Sequence, residues 1–543
     1  MKAIKLLCLL MALAMVLGMG MFFVGCSDEP TGGGTNGGGG GTTGEVWYAP
    51  LNFGGQEIRF LTQFTDRQFA ILDDGVTRVD VMSRSIAVDP GDDPEGGVNM
   101  AIAARNSHVE TQLGVRIVGN NIDGMVNYVT PMFVTGIDDY EVFQINNFNG
   151  IHLVLHENGR GHFLDLNMLS PVDFDDVSQG ENFLRIDQPW WDDDRYEKMT
   201  YNGRAFFVTG HLTQSWVAGM YVTFVNSRLW EDNAAHVQAI TGGETDIYQI
   251  VRDGGWHLDF IIELSNRVYA NLSGTDTVTS SDIVGFILHD TGFMINMIPQ
   301  ALAASVGVSY VEVDRGGSWR LALNDAGSPA AAFAMANYNL HYHANAFQFR
   351  QTEGNHILDM FREGNALMTI NMLQLLERYL REMEDPFHIL PLPMLNAEQF
   401  DNQGYLSFVH TTVGIFTIPT AARPNVRAIT ATLELMAELS YNDVTQVYLH
   451  ESLAGLFNPG EYIQTMEMID LARGGIDVCQ GVIWPQEFST STTGPYQFFR
   501  RNIAANAPAR LTQQSTLTTW QTLISNHAQR VNDATADEHF ITD

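Results

Sequence analysis

Residues 32–44 read GGGTNGGGGGTTG and hold only glycine, threonine and asparagine. Such a stretch has no apolar side chain to bury and behaves as a flexible coil. It divides the chain into a leading segment that ends at Cys26 and a body that runs from about Trp47 to Asp543. From Ser27 to Val46 the root-mean-square reach is roughly 25 Å on the scaling for glycine-rich chains, the span of a tether. The body is too long for one ordinary domain and long enough for two cores. With 45% hydrophobic and 10% aromatic residues over the whole chain, the composition argues against extended disorder beyond the tether.

Lys2 and Lys5 precede an uncharged run from Leu6 to Gly25. A positive flank followed by apolar residues is an export signal, or an anchor if it is retained. Phe23-Val24-Gly25-Cys26 resembles the bacterial lipobox, which implies a signal peptide over 1–25 and a lipid on Cys26. Each buried methylene would then contribute about 0.8 kcal/mol of membrane grip, and 26–46 would hold the body off the membrane. Cys8 lies within the signal, so Cys479 remains and neither a disulfide nor a cysteine metal site is expected. Without Lys2 and Lys5 the formal charge falls from −34 to −36, and Lys198 is the single lysine left. So acidic a chain argues against nucleic acid or anionic lipid as a partner, because both demand a positive footprint.

Along the body no fixed-period repeat and no second long apolar run occur. The stretch 57–65, "EIRFLTQFT", predicts a strand feeding a loop, and 98–119 a helix (Met100, Ala103, Ala104 and Val109 at helical spacing) followed by a strand. "DDYEVFQINN", 138–147, predicts a short strand ending in amides. Helices are expected at 257–270, 355–364, 372–383, 426–439 and 461–472, with strands at 205–209, 221–225, 366–370 and 413–418. Alternation of this kind favours α/β domains with mostly parallel sheets, whose ligands settle beyond the carboxyl ends of the strands. Gln63, Asn146 and Asn147 occupy such ends.

Several clusters could carry chemistry. In "QPWWDDD" Trp190 and Trp191 precede three aspartates, a pairing of rings and carboxylates that suits a sugar but serves packing as readily. The loop 269–285, with Asn271, Ser273, Asp276 and Asp282, has a faint calcium-loop look and reads as an ordinary capping loop. His341 and His343 would share one face of a strand, with His356 and Asp359 further on, but the helical spacing of a zinc motif is missing and no resident metal or cofactor is expected. Among 63 acids a glycosidase pair cannot be recognised by spacing. No nucleophile elbow, Walker loop or dinucleotide fingerprint is present.

Taken in order, the segments resemble family 1 extracellular solute-binding proteins. "YNGRAFFVTGHLTQSWVAGMYVTFVNSRLWED" (201–232) is similar to that family's Y-N-G-K turn, strand, polar crossing and following helix. "DIYQIVRDGGWHLDFIIELSNRV" (246–268), "MAIAARNSHVETQLGVRI" (100–117), "FREGNALMTIN" (361–371) and "HILPLPM" followed by "VGIFTIP" resemble further segments in the family's sequence. The resemblance implies an α/β, two-lobe periplasmic-binding-protein-like fold of type II, with a hinge and a central ligand cleft. Crossings would fall near 207–220, 408–416 and 480. Lobe one would be 47–210 with 416–480, and lobe two 211–412 with 481–543.

It implies a monomeric, lipid-anchored receptor on the extracellular face of the cell membrane, without enzymatic activity, that delivers a sugar or oligosaccharide to an ABC permease. Ligand contacts carried over by position are Gln63, Thr65, Asn146, Asn147, Trp216, His289, Asp290, Phe293 and Asn371, beside Trp190 and Trp191. Sugar-binding relatives often place an aromatic after the last of these strands, whereas Met372 and Leu373 follow here. Two other readings compete. A surface glycoside hydrolase for polysaccharide would require turnover. A helical glycan-capture lipoprotein would require repeated helix pairs, which the interleaved strands oppose.

Overall fold

The computed structural model describes residues 47–64, Ile86, 97–476 and 521–526, apart from 124, 136–138, 148, 151–152, 154–160, 201–202, 290–296, 310, 314–318, 323–328, 343–346, 350–356, 377–379, 411–412 and 523–524. Outside these residues lie the expected signal, tether and lipidation site Cys26, the ligand candidates Thr65, Asp290 and Phe293, and also His343, His356, Cys479 and nearly all of 481–543.

The first sheet starts with β1 (Gln56–Phe64), where Ile58, Phe60 and Leu61 are fully buried. The helix Gly97–Leu113 leads into β2 (Val115–Asp123), which lies parallel to β1 along its full length. Gly114 makes the turn between them with φ +60, and a β-carbon there would stand 2.3 Å from Asn52 Oδ1. The buried face of this helix is Asn99, Ile102, Arg105, Val109 and Leu113. Met100, expected inside, is 58% exposed. An arginine had hidden the true stripe: Arg105 is buried because Ser440 Oγ and Ile86 O accept from its guanidinium. Parallel β3 (Val142–Asn146) and the late strand β12 (Gly414–Thr417), antiparallel to β3, complete the order β12-β3-β1-β2.

The second sheet is built from the middle of the chain. β4 (Tyr221–Asn226) and β10 (Ala366–Met372) are buried at every position, as strands covered on both faces are, and they carry Thr223, Asn226, Thr369 and Asn371 inside with them. Around them stand β5 (Tyr269–Ala270), β6 (Ile283–His289), β9 (Phe347–Phe349) and β11 (Phe387–Leu390), in the order β11-β4-β10-β6-β5 with β9 also on β6. A hairpin of β7 (Val311–Val313) and β8 (Trp319–Leu321) stands apart. The first sheet is parallel save for β12, which runs antiparallel to β3, whereas the second is mixed, with β4 antiparallel to β10 and β11 and β5 antiparallel to β6. β4 and β12 each follow a segment that passes between the sheets, and such a strand is free to enter its sheet against the run of its neighbours.

These two connecting segments lie side by side. Val208 and Phe416 exchange backbone hydrogen bonds of 3.0 and 2.8 Å. His410 N donates to Gly219 O at 3.0 Å and Tyr221 N to Phe408 O at 2.8 Å. The expected strand at 205–209 is therefore a single bridge within a connector. Ser407 N donates to Gly475 O at 2.7 Å, which brings the end of the helix Pro459–Gly474 to the same place. His341 falls in the helix Pro329–Tyr342, not in a strand. Among the described residues no helix is long and apolar enough to cross a membrane.

Candidate functional site

At the carboxyl ends of β1 and β3 the chain gathers amides. Gln63 Oε1 accepts from Asn146 N at 3.2 Å, and Asn146 Oδ1 accepts from Asn149 N at 2.8 Å. Asn147 N donates to Val413 O at 2.9 Å, which ties the end of β3 to the second connector. All three side chains are buried, with Asn146 and Asn147 fully enclosed. Yet neither end of the Asn147 carboxamide, nor Asn146 Nδ2, nor Thr62 Oγ1, has a hydrogen-bond partner among the described residues. A buried polar group without a partner carries a desolvation cost of about 1–3 kcal/mol, and four such atoms at the ends of β1 and β3 make this the candidate site. Below them Gln144 Nε2 donates to Thr213 Oγ1 at 3.3 Å, Thr213 and Ser215 share a hydrogen bond of 2.8 Å, and Gly414 N donates to Ser215 Oγ at 3.1 Å. That relay fixes both connectors against β3.

The second connector carries the site across to the other sheet. Val413 N donates to His410 O at 3.0 Å. The His410 ring stacks on Tyr221, centroids 6.2 Å apart and planes at 14°. Burial lowers the His410 imidazole to about 3, so it is neutral at physiological pH, and burial raises the Tyr221 phenol, which stays protonated. The Tyr221 hydroxyl and Thr369 Oγ1 are buried without a partner among the described residues. Asn371, at the end of β10, accepts from Met372 N at 2.9 Å. Register places it opposite Val222, beside Tyr221. Gln63, Asn146 and Asn147 thus gather at the ends of β1 and β3, whereas Asn371 and Thr369 lie on the sheet face of Val222 and Phe224 and Tyr221 lies on the opposite face.

The remaining candidates are placed elsewhere. Trp190 and Trp191 are 7% and 5% exposed, and their indoles donate to the two oxygens of Glu434 at 3.1 and 2.8 Å. Arg185 adds a 2.7 Å ion pair to the same carboxylate and lies 4.9 Å over the Trp190 ring. Burial raises the Glu434 carboxyl, against the pull of Arg185 and the Trp191 N–H. Both tryptophan N–H groups are thereby committed to the core. Trp216 stacks on His211 at 5.3 Å and lines a separate cavity. His289 closes β6 opposite Phe349, and only its backbone is described. The loop with a calcium-like look is organised by its own acid: Asp282 accepts from the backbone N–H of Leu272, Ser273 and Thr279. Burial would raise that carboxyl, but these hydrogen bonds outweigh it and lower it to about 2.

Sequence reasoning missed Thr62, Tyr221, Thr369 and His410. Only His410 left a signal, as an imidazole inside the apolar run "YLSFVHTTVGIF".

No family model matches the chain, and no curated protein matches it in sequence. Its fold does have counterparts. The crystal structure of a cyclic alpha-maltosyl-1,6-maltose binding protein from Arthrobacter globiformis aligns over 87% of this chain and 100% of its own, with a TM-score of 0.51 and 11% identity. Apo RafE from Streptococcus pneumoniae aligns over 87% and 98%, with a TM-score of 0.48 and 11% identity. The fold is read from the first of these. Two mixed sheets flanked by helices and linked by antiparallel connectors make this chain α/β, with the two-lobe fold of type II solute-binding proteins.

Proposed function

We propose that the chain is a solute receptor that holds a neutral sugar or oligosaccharide between its lobes and passes it, unaltered, to an ABC permease. The observation that carries this reading is the buried and unpartnered carboxamide of Asn147 at the carboxyl end of β3. Ligands of open α/β sheets settle at such strand ends. Carboxamides offer both donors and acceptors, which matches hydroxyl groups. The fold's likeness to a binding protein for a cyclic maltosyl-maltose supports the choice of carbohydrate.

The same chemistry argues against catalysis. Glycoside hydrolysis needs two carboxyl groups that exchange protons, whereas Gln63, Asn146, Asn147 and Asn371 do not titrate. Closure follows from differential binding: contacts to the second lobe exist only in the closed form, so solute shifts the population toward it. Micromolar affinity corresponds to about −8 kcal/mol, within reach of a few hydrogen bonds and one stacked ring. In this reading Cys26 carries the lipid and 26–46 is the tether that keeps the receptor beside its permease. Labelling with an alkynyl fatty acid, lost in Cys26→Ala, tests the anchor.

For the binding function the test is thermal melting and tryptophan fluorescence against a panel of neutral mono- and oligosaccharides. The expected outcome is a saturable rise in Tm for one structural class, with the sugar recovered intact. New reducing ends would make the protein a hydrolase, and no response across the panel would remove carbohydrate as the solute.

A further inference from the structure

One unbroken helical run carries the chain from the core of the first sheet to that of the second. In its first part, Val426–Leu439, the side chains of Ile429, Leu433 and Met436 are buried with Phe60, Val115 and Val142 of the first sheet. In its last part, Thr445–Leu453, Tyr448, Leu449 and Leu453 are buried with Val222, Phe224 and Ile389 of the second. Backbone angles stay right-handed helical at Leu439, Ser440, Val444 and Thr445. The hydrogen bonding changes there: Thr445 N donates to Ser440 O, five residues back instead of four. Such a wide turn holds one residue more than an α-helix and is a place where helices bend.

Both ends of the wide turn are held. Ser440 Oγ accepts from Arg105 Nη1 of the first lobe at 2.8 Å, and Thr445 Oγ1 lies 3.0 Å from Nδ1 of His211 on the first connector. Between them Tyr441 meets the His211 ring edge-on at 4.9 Å, and the Arg473 guanidinium sits 5.6 Å over the Tyr441 ring. Arg473 belongs to the helix Pro459–Gly474, whose Ile469 and Ala472 are buried with the second sheet. Beside the turn lies a cavity of about 310 Å³, lined by Trp191 from the first lobe, His211 and Trp216 from the connector, Tyr441 from the turn, and Arg473 and Gly474 from the second lobe. A space walled by both lobes and by two of the segments that join them cannot keep its volume when the lobes rotate. Close-packed interiors do not offer such slack. We propose that the turn Ser440–Val444 is a third crossing between the lobes and their pivot, and that this cavity is the clearance in which the pivot moves. The crossing lies earlier in the chain than the third one that the family resemblance implied. Filling the cavity therefore wedges the hinge.

The wedge is available without disturbing the backbone. A β-carbon at Gly474 meets nothing within 4 Å, and Asp193 lines the cavity from the opposite lobe. The variants are Gly474→Trp and Asp193→Trp, with Ile463→Trp as the control. Ile463 is on the same helix as Gly474 but is 69% exposed and outside the cavity. Spin labels on genetically encoded keto side chains replace Met168 and Leu272, which are 72% and 62% exposed on the first and second lobes. Double electron–electron resonance then gives the interlobe distance in the full-length protein. No solute is added, so the result does not depend on what the amide site binds. Wild type and Ile463→Trp should give the same broad distribution, and both wedges a narrower one. In hydrogen exchange the wild-type amides of 441–445 should open at least about tenfold faster than those of Leu433–Ala437, and Gly474→Trp should slow them about tenfold. Circular dichroism confirms that each variant is folded. A single narrow distribution in wild type, or a broad one that neither wedge changes, would overturn the proposal. So would uniform exchange along the helical run.

Discussion

Asn147 is buried at a cost that its own fold does not recover. Both ends of its carboxamide lack a partner among the described residues, and an unmade hydrogen bond in the interior costs about 1–3 kcal/mol. Leucine has the same branched skeleton and no polar atoms but is larger, so overpacking offsets part of the gain. Asn147→Leu should therefore change stability by no more than about 1 kcal/mol in urea denaturation, while weakening saccharide binding roughly tenfold or more. A large loss of stability would instead make the amide part of the scaffold. Glu434 is the contrasting case, since every strong donor around it is used. The difference between these residues was half visible in the sequence. "FQINN" shows amides where a strand ends, and that is unusual enough to read. Tyr221 and Thr369 looked like ordinary strand residues, because what sets them apart is an empty hydrogen-bonding position, and that depends on segments far away in the chain.

At the scale of elements the connectors matter most, and Gly210 is their tightest point. Its φ is +154, and a β-carbon there would lie 2.2 Å from Trp190 O. The neighbours are backbone already engaged, since Asp192 N donates to Thr209 O and His211 N to Trp190 O, both at 2.9 Å. No side-chain rotation relieves that contact. Gly210→Ala should destabilise the protein by about 1–3 kcal/mol in chemical denaturation. Gly203→Ala, at φ +75 with open space around it, should cost about 1 kcal/mol or less. Equal effects would show that crowding at the connector is not the cause. Element boundaries followed the local code where the code was strong. The helix Val426–Leu439 matches its expected span, and β4, β10 and β12 lie within a residue or two of theirs. Strand direction and the 205–209 connector did not, because pairing between the connectors is long-range and leaves no periodic trace.

Across the whole molecule, pH couples the buried imidazoles to stability. Burial lowers His211 and His410 to about 3 and His388 to about 4, where Ser227 and Tyr248 hydroxyls meet the two ring nitrogens of His388 at 3.0 and 3.1 Å. Below an unfolded value of about 6.5 the unfolded chain takes up protons on these rings and the folded chain does not. Each ring therefore contributes stability that is complete above that pH and is lost, by up to about 1.4 kcal/mol per pH unit, on the way down to its folded value. An acidic chain also experiences an opposing effect. With 63 acids against 29 bases, protonation of carboxylates relieves repulsion, and burial raises Asp165, Asp192 and Glu434, which then gain from low pH. Ordinary carboxylates titrate near pH 4, so between pH 7 and 5.5 their charge hardly changes while the imidazoles are already responding. The unfolding free energy should therefore fall from pH 7 to 5.5. Burial also lowers His162 and His257, so His388→Gln, which retains a polar group for both hydroxyls, should flatten that slope by about one fifth to one third. A slope unchanged by His388→Gln, or stability that rises as the pH drops through this window, would show that the acidic surface governs the balance and the buried rings do not.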